Sequence, residues 1–220
     1  MFKSVTFLTN KLKSLRRFYG DILNLKITES DDEQFTLEVG ESSIIFKQAE
    51  QPAFYHFAIN IPGNQFSLMK LWIQDRVTLN RGESVDEVYF PSFDADAIYF
   101  EDPAGNIVEL IGRRKRDLFG DVTAASFLNV SEVGIVTPFV SDIGEQLQDF
   151  GIPLRSGTEV DPDSVNFLGR DDEFIVLVPP ARKWYFSEKM SETYSLEIIL
   201  NDNRKITIDP EGLLRLSKDS

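Results

Sequence analysis

Residues Ala97–Leu110 read AIYFEDPAGNIVEL, and the fold turns on how they are read. Two runs of β-forming residues, Ala97–Glu101 and Ile107–Ile111, enclose Asp102-Pro103-Ala104-Gly105-Asn106, with Pro and Gly placed as a tight turn wants them. The second run holds a carboxylate, Glu109, among Ile107, Val108, Leu110 and Ile111. Strand alternation sets Glu109 on the face of Ile107 and Ile111, opposite Val108 and Leu110. A charge inside such a strand calls for a partner, a hydrogen-bond network or a cation, unless the strand is an edge facing water.

Working outward, the preceding residues complete one supersecondary unit. Phe54–Ile61 is a predicted strand ended by Pro62-Gly63-Asn64, and Phe66–Val77 reads as a helix with Phe66, Met69, Leu71, Trp72, Ile73 and Val77 as its apolar positions. Glu87–Pro91 is a further short strand, so the order is β-α-β-β-β. The same order fits the start of the chain. Lys3–Thr9 alternates as a strand, and Lys11–Leu23 is helical on Leu12, Leu15, Phe18, Tyr19 and Ile22, with Phe18 expected on the buried face. Three strands follow at Leu25–Thr28, Gln34–Val39 and Ser43–Lys47.

A third unit opens at Phe127–Thr137. Its helix, Ile143–Phe150, is stopped by Gly151, and its strands Val165–Gly169 and Phe174–Val178 end at Pro179-Pro180. Tyr194–Leu200 and Arg204–Ile208 flank Asn201-Asp202-Asn203 as a hairpin, either an incomplete fourth unit or a cover for a sheet edge. Repeated supersecondary units are the main organising signal. They divide the chain into residues 1–113 (two units), a linker at 114–126, and residues 127–220 (a third, partly degenerate unit with the hairpin).

Composition bounds the function. The 220 residues contain no cysteine, which excludes thiolate nucleophiles and thiolate metal sites and agrees with a reducing compartment. Neither a signal peptide nor a run of roughly twenty apolar residues is seen, so a cytoplasmic location away from membranes is expected. The formal charge of −13 opposes nucleic acid. Arg113-Arg114-Lys115-Arg116 reads as a solvated linker after a strand, one basic run among 36 acidic residues.

Two segments carry a family resemblance. Ser14–Leu25, SLRRFYGDILNL, is similar to the first-helix signature of the vicinal oxygen chelate superfamily, the glyoxalase, bleomycin-resistance and extradiol-dioxygenase proteins, with Asn24 where a Gly is usual. The Ala97–Leu110 hairpin resembles the one with which that family delivers a metal-binding Glu. The resemblance implies an α+β fold of repeated βαβββ modules forming curved mixed sheets around a cup. It also implies a divalent metal such as Zn, Ni, Mn or Fe, held by His or Glu on a unit's first strand and Glu on its last.

On that pattern His56, the single histidine, stands at a ligand position, though a lone His is otherwise often a core residue. Glu109 is the second ligand and the candidate proton-transfer base. The first unit's His position falls on Ser4, a poor ligand, so Glu132 in Ser131-Glu132-Val133-Gly134 becomes the third candidate if units two and three share a cup. Otherwise Glu132 is an exposed strand-start residue. Tyr55, Phe93 and Tyr99 are candidate pocket walls.

The expected function is a metal-dependent lyase, isomerase or dioxygenase acting on a small oxygenated molecule, as monomer or homodimer. The alternatives are a metal-free protein that sequesters a cationic drug, favoured by the acidic charge, and a structural protein with a vestigial cup.

Overall fold

The computed structural model describes residues 2–218. The first unit comprises β1 (Phe2–Thr9), α1 (Leu12–Arg17), β2 (Ile27–Ser30), β3 (Gln34–Val39) and β4 (Ser42–Gln48). The second comprises β5 (His56–Pro62), α2 (Phe66–Gln74), β6 (Val88–Phe90), β7 (Ala95–Glu101) and β8 (Ile107–Arg113). A third, one strand short, has β9 (Asn129–Val136), α3 (Val140–Asp149), β10 (Asn166–Arg170) and β11 (Glu173–Val178). A helix-free fourth has β12 (Leu196–Leu200), β13 (Arg204–Ile208) and β14 (Leu214–Lys218). Among the described residues no helix is long and apolar enough to cross a membrane.

These strands form two seven-stranded mixed sheets, ordered β14-β13-β12-β1-β4-β3-β2 and β10-β11-β9-β5-β8-β7-β6. In the first, β1 is parallel to β4 and antiparallel to β12; in the second, β5 is parallel to β8 and antiparallel to β9. Units one and four therefore share one sheet, and units two and three share the other. The sheets pack face to face through a common apolar core, where Phe7 meets Tyr55 and Phe57 with ring centroids 4.5 and 5.2 Å apart.

Strand alternation divides the second sheet. Phe57, Ile59 and Ile61 of β5, Val108 and Leu110 of β8, and Val133 and Ile135 of β9 enter the common core. Their neighbours, among them Ala58, Ile107, Ile111 and Val136, face the other way onto a separate apolar cluster lining a cup.

The first helix ends unusually. After α1 the backbone runs through a π turn at Phe18–Ile22, keeping Phe18 and Tyr19 buried, and Asn24 follows with φ +52°. Asn tolerates this left-handed conformation, so the Gly position is filled without an abrupt penalty. At the C-terminus the predicted hairpin gains a third strand. Within it Leu214 and Leu216 are half-buried and Arg215 is exposed, an alternation too short to stand out between charged residues. Arg113 also corrects the sequence reading: it is the last residue of β8 and is buried, whereas Arg114 and Lys115 are exposed.

Candidate active site

Ala58, at the middle of β5, pairs with Glu109 on one side and Glu132 on the other. Both glutamates thus stand on the cup face and flank a residue too small to fill the space between them. His56 lies two positions earlier on β5, on the same face. His56, Glu109 and Glu132 are all buried, and one ligand atom from each lies within 4.8 Å of the others. The three residues singled out from sequence converge, and neither the edge-strand position for Glu109 nor the exposed position for Glu132 is observed.

Ser4 is elsewhere. In the first sheet Thr6 pairs with Ile45 and Glu197, as Ala58 pairs with Glu109 and Glu132. By this register Ser4, Ile45 and Glu197 correspond to His56, Glu109 and Glu132. Only one of the three could ligate, and Glu197 is neutralised by Lys205 at 2.6 Å. One sheet carries the cluster.

The electrostatics of the cluster are those of acceptors facing acceptors. The Ile107 carbonyl lies 3.1 Å from His56 Nδ1, and a carbonyl only accepts, so Nδ1 carries the proton. Nε2 is left with its lone pair 3.6 Å from Glu109 Oε2. Burial holds the imidazole down at about 4, with the Ile107 carbonyl opposing, so the ring is neutral and the contact is no ion pair. Glu109 is driven well above the usual carboxylate range by burial and by Glu132, against the pull of Tyr99 and Arg113. Burial also pushes Glu132 up, to about 7, although Arg113 and Arg155 favour its charge.

Arg113, missed at the sequence level, is the counter-charge. Its Nη2 donates to Ser131 Oγ at 3.0 Å and lies 3.5 Å from Glu132 Oε1; its Nε is 3.4 Å from Asp172 Oδ1. Phe93 and Phe174 cover the guanidinium, 5.2 and 5.7 Å from its centre. Lys115 and Arg116 reach Asp172 as well, at 2.8 and 3.3 Å. The basic run is therefore partly an internal clamp. Its signal was the strand continuing one residue past Gly112.

Aromatic rings complete the walls of a cavity of about 210 Å³ that includes all three cluster residues. Trp184 packs on His56 at 4.9 Å, and the Tyr99 phenol lies against Glu109. Gly134 makes room for Trp184, since a Cβ there would come within 3.1 Å of the indole. Phe93 and Tyr99 are walls as expected. Tyr55 is not: its side chain enters the common core and its hydroxyl donates to the Ser195 carbonyl at 2.7 Å.

The arrangement has solved counterparts. A protein of Bacillus subtilis subsp. subtilis strain 168, assigned as a dioxygenase, superposes with a TM-score of 0.55 at 16% identity, over 80% of this chain and 62% of that one. This chain has the vicinal oxygen chelate fold.

Other solved structures align with about half of this chain. A lactoylglutathione lyase from Agrobacterium tumefaciens aligns over 52% of this chain and 95% of its own, at 14% identity and a TM-score of 0.41. A glyoxalase/bleomycin resistance protein/dioxygenase from Nocardioides aligns over 56% and 89%, at 14% identity and 0.43. Residues 130–182 match the family described as toxoflavin-degrading enzyme, a stretch that includes Glu132 but neither His56 nor Glu109. No curated protein sequence matches the chain.

Proposed function

We propose that the chain is a divalent-metal-dependent enzyme, a lyase, isomerase or dioxygenase, that acts on a small oxygenated molecule in the cup of the second sheet. His56, Glu109 and Glu132 are its metal ligands. The observation that carries this reading is the buried convergence of one imidazole lone pair and two carboxylates within 4.8 Å. Lys115 and Arg116 answer Asp172 and Arg113 answers Glu132, but among the described residues no Lys or Arg forms an ion pair with Glu109, so a cation or a proton must balance that carboxylate. The fit is good. His56 already presents a neutral Nε2, and its Nδ1–H bond to Ile107 fixes the ring as metal-bound histidines commonly are fixed. One imidazole and two carboxylates suit Zn, Ni, Mn or Fe.

Held by His56, Glu109 and Glu132, such an ion would supply Lewis acidity toward substrate oxygens. The chain's own residues do the rest. Arg113 holds Glu132 in place, and the aromatic walls keep water from the cluster. Glu109, raised by burial and set against the Tyr99 phenol, is the group to accept and return a substrate proton. The match to a family named for degrading a small compound supports chemistry over sequestration.

The test is metal content and affinity. Protein produced with added Mn, Fe, Ni or Zn is expected to hold one ion per chain. His56→Ala and Glu132→Gln should lower that affinity while keeping the fold, and Ser4→Ala should not. Wild-type protein that binds no ion after supplementation would sink the metal reading and leave ligand sequestration in its place.

A further inference from the structure

The segment between β11 and β12 crosses the mouth of the cup as a pinned strap. It folds back on itself through the bonds Ala181 N to Ser191 O, Ser191 N to Arg182 O and Trp184 N to Lys189 O. Buried Ser191 donates from its hydroxyl to the Pro179 carbonyl and accepts from the Arg182 amide. Lys189 ties the strap to Glu101 and the Gly105 carbonyl, at the β7–β8 turn. The strap adds Arg182, Lys183, Trp184 and Tyr185 to the cavity wall.

Two features of this wall point to a ligand. Six rings line the cavity: Phe90, Phe93, Tyr99, Phe167, Trp184 and Tyr185. A space of about 210 Å³ between rings favours a planar ligand of one or two rings over a flexible or bulky one. The second feature is charge. Arg113 is held by Glu132 and Asp172, Lys183 by Glu188 at 2.8 Å, and Lys189 by Glu101. Arg155 lies over Phe93 and donates to the Ser92 carbonyl. Arg182 lines the cavity half-buried, its backbone pinned on both sides, and among the described residues its guanidinium has no acidic partner. In a chain of net charge −13, an unpaired arginine at a cavity mouth is an opening for an anion.

We propose that the cup takes a planar aromatic acid, with its ring between the aromatic walls and its carboxylate on Arg182. A guanidinium offers a carboxylate two parallel N–H bonds, which suits this pairing. The inference rests on the cup being the working site, but the recognition requires no metal. It also reverses the expectation of a cationic guest drawn from the overall charge.

Calorimetric titration with 2-naphthoate, neutral 2-naphthamide and 2-naphthylmethylammonium, on metal-free and on metal-supplemented protein, tests it. Metal-free wild type should bind the acid about tenfold more tightly than the amide, the scale of one partly exposed charge-assisted pair, and the ammonium most weakly. Arg182→Gln should equalise acid and amide by weakening the acid alone, and Arg182→Lys should keep part of the preference. Equal binding of acid and amide by wild type would overturn the proposal. So would an acid preference that survives Arg182→Gln, or one that exists only with metal present. An acid preference lost in Arg182→Gln, in protein that binds no metal, would support this inference while overturning the metal reading. One ion bound per chain without acid selectivity would do the opposite.

Discussion

Glu132 is under two opposed demands: as the proposed metal ligand it must be charged, yet burial makes the charge costly. Its carboxyl titrates near 7 in the folded protein, against an ordinary 4.5. A carboxyl raised on folding lends stability while protonated, and that contribution is lost as pH rises from about 4.5 through 7. Glutamine does not titrate. The stability of metal-free Glu132→Gln relative to wild type should therefore shift in the variant's favour between pH 4.5 and 7, by on the order of 3 kcal/mol. Urea unfolding at the two pH values checks this, and a flat difference would contradict it. On the metal reading proposed above, saturating metal should reverse the ranking at pH 8, because only wild type keeps all three proposed ligands. Arg113 is the complementary case. Arg113→Ala leaves Glu132 and Asp172 buried with less counter-charge and should cost about 3–5 kcal/mol, measured as a lower urea midpoint at unchanged slope.

Among the elements, the first helix shows how local irregularity serves packing. The π turn at Phe18–Ile22 keeps Phe18 and Tyr19 facing inward, with Phe18 6.1 Å from Phe100 of β7 and Tyr19 stacked 5.4 Å from Phe46. The Tyr19 hydroxyl donates at 2.7 Å to Asp102 Oδ2. Asp102 also accepts from the Ala104 and Asn106 amides and the Asn106 side chain. One helix thus braces the turn that sets the register of Glu109. Phe18→Ala should cost about 3–5 kcal/mol, as a large buried side chain does. An unchanged melting temperature would contradict the packing. Asp102 explains why the turn segment reads so clearly in sequence: each of its polar residues has a fixed bond to make.

At the scale of the whole molecule, the C-terminal strands complete a sheet begun by the N-terminus. Leu196, Ile198 and Leu200 of β12 and Ile206 and Ile208 of β13 are buried in the core that also holds Phe7 and Phe57. A chain ended after Ser195 would bare the β1 edge and that apolar surface, and it should lose cooperative unfolding by circular dichroism; a sharp, native-like transition would count against the pairing. Strand and helix periods, the turn chemistry of Asp102–Asn106 and the repeated order were legible in sequence, because each depends on residues close together along the chain. So was the candidacy of His56, Glu109 and Glu132, which the family resemblance implied from their strand positions, alternation adding only the face on which Glu109 stands. Three things were not. The union of unit one with unit four and unit two with unit three depends on which apolar edges meet far apart along the chain, as Phe7 meets Leu196 and Ala58 meets Glu132. The burial of Arg113 depends on Asp172 and Glu132 arriving from other strands. The aromatic strap and the unpaired Arg182 acquire meaning only once β11 and β12 lie in different sheets, so that the segment joining them must pass the mouth of the cup. Periodicity along the chain assigns a face to each strand, and long-range packing decides which faces share a cavity.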